Sequence, residues 1–161
     1  LYGEHFVLPE AVVDEKTAVL VGLDGRKMSK SYGNTIPLFE PEKALRKLIM
    51  RIKTNSLPPE APKDPDTCTL FQIYQAFATA AETAAMRARY AQGIGWGEMK
   101  QILFEYLNAR LSEPRQRYRE LLEQPGHIEQ TLKRGAVRAR EFSVPFLAEL
   151  RRAVGIRPLG G

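Results

Sequence analysis

The sequence has almost no cysteine and no long apolar run. Cys68 is the only cysteine in 161 residues, which rules out an intramolecular disulfide and argues against a cysteine-based zinc site. No apolar stretch approaches the roughly 18 residues of a membrane-spanning helix. The first residues lack both an initiator Met and the basic-then-apolar pattern of a signal peptide. We therefore expect a cytoplasmic protein, with no membrane contact, and a sequence that is a piece of a longer chain.

The excess positive charge is confined to the end of the chain. The formal net charge is +5. From Gln130 onward there are two acids and seven basic residues, namely Lys133, Arg134, Arg138, Arg140, Arg151, Arg152 and Arg157. The preceding residues are balanced in charge. A local basic stretch on a neutral body indicates either a polyanionic partner or the solvated face of a helix, and charge alone does not separate the two.

The first forty residues and the remainder follow different patterns. The β-branched apolar run 17–21, closed by Gly22, predicts a buried strand. Asp24-Gly25 is a turn signal, and the polar residues 26–34 after it predict an exposed loop. From Pro41 the apolar spacing is helical. Helices are predicted over residues 41–54, 67–78, 79–91, 98–111, 112–122 and 128–154.

Three local signals set details of these helices. Thr79-Ala80-Ala81-Glu82 is a capping-box pattern that begins the third helix. Ser112 is predicted to cap a separate helix, and Pro145 to kink or divide the last one. The expected class is mainly α, with a strand-loop segment in residues 1–40 and a helical bundle in residues 41–161.

The stretch Lys27-Met28-Ser29-Lys30-Ser31 carries the clearest chemical signal. Two lysines three residues apart on a polar loop, interleaved with hydroxyls, suit the clamping of a polyphosphate, because ammonium groups are compact charges and hydroxyls bond phosphate oxygens. From composition alone, a plain solvated turn is the alternative. The exact five-residue sequence is a much more specific signal than the composition of the loop, because it is far less likely to occur by chance.

The same word is the signature of class I aminoacyl-tRNA synthetases, and its context resembles the bacterial tryptophanyl-tRNA synthetases. The resemblance is carried by residues 6–12, 22–32, 34–39, 62–64, 70–71, 74–79, 95–97, 117–118 and 151–155. It implies that residues 1–40 end a Rossmann-like nucleotide-binding domain and that residues 41–161 form a helical anticodon-binding domain.

The resemblance also implies a reaction and a set of site residues. ATP, carrying its own Mg²⁺, activates tryptophan to the adenylate, which then acylates tRNA-Trp. Lys27 and Lys30 are the implied catalytic residues. The implied ATP contacts are Lys27, Met28, Ser29, Lys30, Ser31 and, less directly, Val19. No metal ligands are expected from the chain, and the complete enzyme is expected to be a homodimer.

Part of the family's active site has no counterpart in the sequence. The second ATP signature, an H-x-G-H-like motif, is matched by neither His5 nor His127. The tryptophan pocket is also expected outside this chain, in an N-terminal half. We therefore expect the chain by itself to be inactive and to supply the pyrophosphate-clamping loop and the tRNA-binding helices.

Two alternatives remain open. The chain could be a non-catalytic RNA-binding module, in which Arg134 and Arg138, one helical turn apart, contact tRNA phosphates. It could also be a tyrosine-specific relative, since that family shares the loop. The helical segments that follow the loop, together with Gly95-Trp96-Gly97, favour a tryptophan-specific enzyme over a tyrosine-specific one. Trp96 itself is expected to pack between helices, with base stacking as the other reading.

Overall fold

The computed structural model describes residues 2–13 and 18–156, and this part of the chain is mainly helical. It contains five α-helices: α1 Glu42–Met50, α2 Thr69–Phe77, α3 Ala80–Gln92, α4 Trp96–Leu122 and α5 Pro125–Ala153. One short 3₁₀ turn covers Lys30–Tyr32. The predicted mainly α class is confirmed.

The predicted buried strand is wrong over residues 18–21. Ala18 and Val19 lie in a bend, and Val19 is 54% exposed. Pairing of residues 18–21 is limited to an isolated antiparallel bridge between Val21 and Lys27 and a hydrogen bond from the Met28 N–H to the Leu20 carbonyl oxygen. A buried strand needs neighbouring strands to satisfy its backbone, and the described residues supply none. Thr17 lies outside the described residues.

The chain divides into two compact units, one of which is residues 13–118. Its core is built from α1 to α4. The predicted apolar stripe of the first helix faces the core: Leu45, Ile49 and Ile52 are buried, and Leu48 is half-buried. The other buried apolar residues of this core are Leu70, Phe71, Ile73, Tyr74, Met86, Tyr90, Ile94, Met99, Leu103, Phe104, Leu107 and Leu111.

The predicted capping box begins α3. The Thr79 hydroxyl accepts from the Glu82 backbone N–H at 3.3 Å, and the Glu82 carboxylate accepts from the Thr79 backbone N–H at 2.8 Å. Two backbone donors that the helix cannot satisfy internally are thereby paired. This confirms the prediction from the sequence.

The predicted break at Ser112 is wrong, because α4 is continuous from Trp96 to Leu122. The Ser112 hydroxyl donates to the Ala109 carbonyl oxygen at 3.2 Å, inside the helix, and caps nothing. Pro114 also lies inside α4. A proline there removes one backbone hydrogen bond, whereas Leu111 and Arg115 on either side of it are buried by packing. The burial of these two side chains therefore outweighs the capping signal of Ser112 and the lost hydrogen bond at Pro114.

The second compact unit joins Leu1–Val12 with Arg119–Gly161. Its main element is α5, which runs through Pro145, so the proline does not divide the helix. The ring of Phe6 meets that of Phe146 edge to face at 5.5 Å, and His5 Nδ1 lies 3.2 Å from the Glu149 carboxylate. The described α5 residues include none that is buried. No helix in the described chain combines the length and apolarity needed to cross a bilayer.

Candidate functional site

The lysine loop starts from a tight reversal of the chain. Val21 and Lys27 form an antiparallel bridge. The Gly22 N–H donates to the Arg26 carbonyl oxygen at 2.7 Å, and the Met28 N–H donates to that of Leu20 at 2.8 Å. Gly25 occupies the turn with φ +86°, a conformation that glycine adopts at little cost. The two sides of the reversal therefore fix where the lysine loop begins.

Asn34 closes the loop from inside. Its side chain is only 3% exposed. Oδ1 accepts from the Ser29 backbone N–H at 2.8 Å, while Nδ2 donates to Asp24 Oδ1 at 2.8 Å and to the Lys27 carbonyl oxygen at 3.2 Å. The Asn34 carbonyl oxygen accepts from the Leu23 N–H at 3.0 Å. One buried residue thus links both ends of the loop.

Asp24 organises the base of the same loop. The Asn34 amide, and then the Arg26 backbone and side chain, hold the pKa of the Asp24 carboxyl well below its usual range. The acid is therefore ionised at neutral pH. Arg26 Nε donates to Asp24 Oδ2 at 2.7 Å, and the guanidinium lies 4.4 Å from the centroid of the Tyr32 ring. The Arg26 charge is thus already paired.

The apex of the loop is a short 3₁₀ turn over Lys30–Tyr32. The Tyr32 N–H donates to the Ser29 carbonyl oxygen at 3.2 Å, and the hydroxyl oxygens of Ser29 and Ser31 are 2.8 Å apart. Gly33 ends the turn with φ +61°. The predicted polar loop is therefore an ordered turn in which the two serines are mutually hydrogen-bonded.

Lys27 and Lys30 differ from Arg26 in having no partner. Both side chains are exposed, and neither ammonium has a hydrogen bond or ion pair among the described residues. Met28, between them, is half-buried. It lines an apolar cavity of about 120 Å³ together with Ile36 and Leu107. The loop is thus anchored by Met28 and presents two unpaired cations to solvent.

The other predicted site residues are not part of the lysine loop. Val19 is in the exposed bend before the reversal. Arg134 and Arg138 are exposed on α5, in the second compact unit, and Arg134 Nη2 donates to the Thr131 hydroxyl at 3.2 Å. No three His, Cys, Asp or Glu side chains of the described chain come together as metal ligands.

Sequence reasoning missed Asn34 and Gly22 as parts of the site. A Cβ on Gly22 would lie 2.5 Å from the Asn34 carbonyl oxygen and 2.6 Å from its Cγ, closer than real atoms approach. The glycine therefore permits the close contact of the two backbones. The only sequence signal was a glycine directly after an apolar run, which reads equally well as a strand end.

A separate cavity of about 360 Å³ lies beside Trp96, within the first compact unit. Trp96 is half-buried against the core, as predicted, with its ring centroid 6.2 Å from that of Tyr90. Its Nε1 donates to Asn55 Oδ1 at 3.0 Å. The lining also includes Lys53, Asp64 and Thr67. Asn55 Oδ1 also accepts from the Leu57 N–H at 3.1 Å, and the Asp64 carboxylate accepts from the Asp66 N–H and the Thr67 hydroxyl. These acceptors therefore already have partners within the chain.

Comparison with known proteins settles the family. The family model for class I tRNA synthetases (W and Y) matches residues 2–112. The chain belongs to this family. It is 54% identical over 156 residues to the tryptophan–tRNA ligase of Pseudomonas aeruginosa and 51% identical over 158 residues to that of Neisseria meningitidis. Those matches cover 97% and 98% of the chain, but only 35% and 47% of the relatives.

A solved structure gives the same picture. The tryptophanyl-tRNA synthetase from Campylobacter jejuni, complexed with ADP and tryptophan, matches with a TM-score of 0.75 and 42% identity. The match covers 96% of this chain and 49% of that one. The chain thus spans less than half the length of these relatives.

Proposed function

We propose that the complete protein containing this chain is a tryptophan–tRNA ligase and that the chain supplies its pyrophosphate-clamping loop. The observation that carries the proposal is the pair of exposed, unpartnered ammonium groups of Lys27 and Lys30 on an ordered loop. The proposal is supported by relatives that are 54%, 53% and 51% identical to the chain and are named tryptophan–tRNA ligases.

The proposed reaction has two steps. The carboxylate of tryptophan attacks the α-phosphorus of ATP, so tryptophanyl-adenylate forms and pyrophosphate leaves. The adenylate then transfers its tryptophanyl group to the 3′ end of tRNA-Trp. Lys27 and Lys30 neutralise the negative charge that develops on the leaving pyrophosphate. An interaction that strengthens as charge develops lowers the barrier more than it strengthens substrate binding.

The remaining loop residues have supporting roles in the proposal. The Ser29 and Ser31 hydroxyls, already within hydrogen-bonding distance of each other, turn toward phosphate oxygens when ATP binds. Met28 anchors the loop and offers its backbone to the nucleotide, and Val19 lies beside the adenine. Mg²⁺ is carried by the phosphates of ATP, for which it has a strong preference.

We assign residues 1–40 to the end of a Rossmann-like catalytic domain and residues 41–161 to a helical anticodon-binding domain. The tryptophan pocket and the H-x-G-H-like motif belong to the rest of the protein. We further infer a homodimer in the cytoplasm. The isolated chain is then inactive, because it holds one of the two ATP signatures.

Binding of tRNA forms the second part of the proposal. Arg134 and Arg138 contact phosphates, and the cavity beside Trp96 takes the edge of a tRNA base. The Asn55 amide nitrogen and the Trp96 ring in the lining of this cavity support the second assignment. We expect Asn55→Ala to weaken binding of tRNA-Trp without changing adenylate formation. Unchanged binding, measured by filter retention, would remove the cavity from the proposal.

ATP–pyrophosphate exchange tests the function and its alternatives together. The complete protein should exchange label into ATP with tryptophan and much less with tyrosine, whereas the isolated chain should show no exchange with either. Exchange that depends on tyrosine alone would favour the tyrosine-specific alternative. Binding of tRNA with no exchange by the complete protein would favour a non-catalytic RNA-binding module.

A further inference from the structure

A single buried side chain connects the segments on both sides of the two lysines. Asn34 receives the N–H of Ser29, which precedes Lys30, and donates to the carbonyl oxygen of Lys27 itself. The lysine ammonium groups have no contacts of their own among the described residues. Their starting positions are therefore set by the backbone that Asn34 holds.

We propose that Asn34 is a positioning residue for Lys27 and Lys30, oriented in that role by Asp24. The kinetic part of this inference rests on the proposed function, since it concerns the rate of adenylate formation. The structural part, that the Asn34 amide holds the loop in its ordered turn, stands on the geometry alone. Neither part requires Asn34 to touch a substrate.

Asp24 determines which way the Asn34 amide faces. An ionised carboxylate can only accept hydrogen bonds, so it must face the Nδ2 of Asn34, at 2.8 Å. The amide oxygen is thereby directed to the Ser29 N–H, which can only donate. A reversed amide would place oxygen against carboxylate and nitrogen against N–H. The pair thus fixes one arrangement of the loop.

Burial makes this arrangement costly to lose. Asn34 is 3% exposed, and the absence of a side chain on Gly22 allows the two backbones to approach closely. Without the amide, the Ser29 N–H loses its partner, and water has little access to replace it. The apex 29–33 is then free to adopt other conformations, and both lysines move with it.

A double-mutant cycle in the complete protein tests the kinetic part. We expect Asn34→Ala to lower kcat for ATP–pyrophosphate exchange roughly 10- to 100-fold, the scale for misplaced catalytic groups. In a background that carries both Lys27→Ala and Lys30→Ala the same change should cost less than about threefold, because both groups that Asn34 positions are gone. Equal losses in both backgrounds would overturn a positioning role. The KM for tryptophan should stay unchanged.

Asn108→Ala is the matched control for general destabilisation. Asn108 is a half-buried asparagine on α4 whose Oδ1 accepts from Arg115 Nη1 at 2.9 Å. Asn108→Ala removes the same atoms as Asn34→Ala and one side-chain hydrogen bond within α4, far in sequence from the loop. We expect a loss of stability but no change in kcat. A similar fall in kcat in both variants would attribute the effect of Asn34→Ala to unfolding.

Hydrogen exchange in the complete protein tests the structural part without relying on activity. Peptides covering residues 27–34 should lose protection in Asn34→Ala, and in Asp24→Ala to a smaller extent, but not in Asn108→Ala. Unchanged protection in Asn34→Ala would overturn the inference, whatever the kinetics show. If the wild-type protein shows no tryptophan-dependent exchange, the proposed function fails, and the hydrogen-exchange result still decides whether Asn34 holds the loop.

Discussion

The hydroxyl of Tyr106 on α4 donates to the Glu82 carboxylate on α3 at 2.8 Å. The same carboxylate accepts from the Thr79 backbone N–H and hydroxyl, each at 2.8 Å. One acid thus serves as helix cap and as interhelical link. These hydrogen bonds, that of the Thr79 backbone foremost, lower the pKa of Glu82 to about 2 from its ordinary 4.5.

The lowered pKa of Glu82 predicts a specific loss of stability in acid. The folded state holds the ionised acid better than the unfolded state does. The contribution is therefore complete above the ordinary pKa of 4.5 and disappears as pH falls toward 2. We expect Glu82→Gln to lower the free energy of unfolding at pH 7, with a difference from wild type that shrinks between pH 4.5 and 2. Urea unfolding at several pH values measures it.

Glu113→Gln is the control, because Glu113 is an exposed acid on α4, the helix that also carries Tyr106. It should leave the free energy of unfolding nearly unchanged at every pH. A Glu82→Gln difference that is constant from pH 7 to pH 2 would show that the amide, not the charge, is responsible.

A buried lysine provides the second prediction. Lys63 is 5% exposed, and its ammonium donates to the carbonyl oxygens of Pro58, Pro59 and Ala61 at 2.7, 3.2 and 2.9 Å. It thereby holds the connector between α1 and α2. Since hydrogen bonds from a charged donor contribute more than neutral ones, Lys63→Met should cost about 2 kcal/mol of unfolding free energy.

An exposed lysine, Lys43, provides the control for the Lys63 substitution. Lys43→Met changes an exposed residue of α1 and should stay within about 0.5 kcal/mol of wild type. Both values come from the same urea titrations. Equal and small effects for Lys63 and Lys43 would mean that water replaces the lost ammonium without penalty.

The close contact at Gly22 gives a third prediction. A Cβ there would lie 2.5 Å from the Asn34 carbonyl oxygen, and the contact is with backbone, which moves only with the loop. We expect Gly22→Ala to cost about 1 to 3 kcal/mol of unfolding free energy. Gly97→Ala on α4 meets open space and should stabilise by about 0.5 to 1 kcal/mol, because alanine favours a helix. A neutral Gly22→Ala would contradict the account of the loop base.

The salt dependence of tRNA binding tests Arg134 and Arg138. Each phosphate contact that is removed should reduce the slope of log affinity against log salt by about 1. We therefore expect Arg134→Ala and Arg138→Ala each to lower the slope in the complete protein, for tRNA-Trp and for another tRNA alike. Glu129→Ala, on the same helix α5, should not lower it. An unchanged slope in the double variant would remove both arginines from the interface.

Local patterns predicted much of the helical part of the fold. The spacing of Leu45, Ile49 and Ile52 marks a buried face because a helix repeats every 3.6 residues, and the Thr79–Glu82 box lies within four residues. Ser112 shows the limit of such signals. Its capping pattern is local, whereas continuity of α4 is decided by the burial of Leu111 and Arg115.

The candidate site, like the fold, could be predicted from the sequence only in part. Lys27 and Lys30 could be found from the sequence because they are adjacent in one recognisable word. Asn34 could not, because its role depends on the approach of Asp24 and Ser29 in space. The strand predicted before the loop failed for a related reason: a strand exists only with neighbours, and a single run of residues does not reveal them.

The most direct test of the account is the kinetic behaviour of Lys30→Ala in the complete protein. Loss of a group that stabilises developing charge should lower kcat for tryptophan-dependent ATP–pyrophosphate exchange roughly 100- to 1,000-fold. The dissociation constant for tryptophan should stay at the wild-type value. Lys43→Ala, an exposed lysine of α1, should leave both unchanged. Full exchange activity in Lys30→Ala, or equal losses in kcat and tryptophan affinity, would contradict the central claim that the loop lysines act on the leaving pyrophosphate.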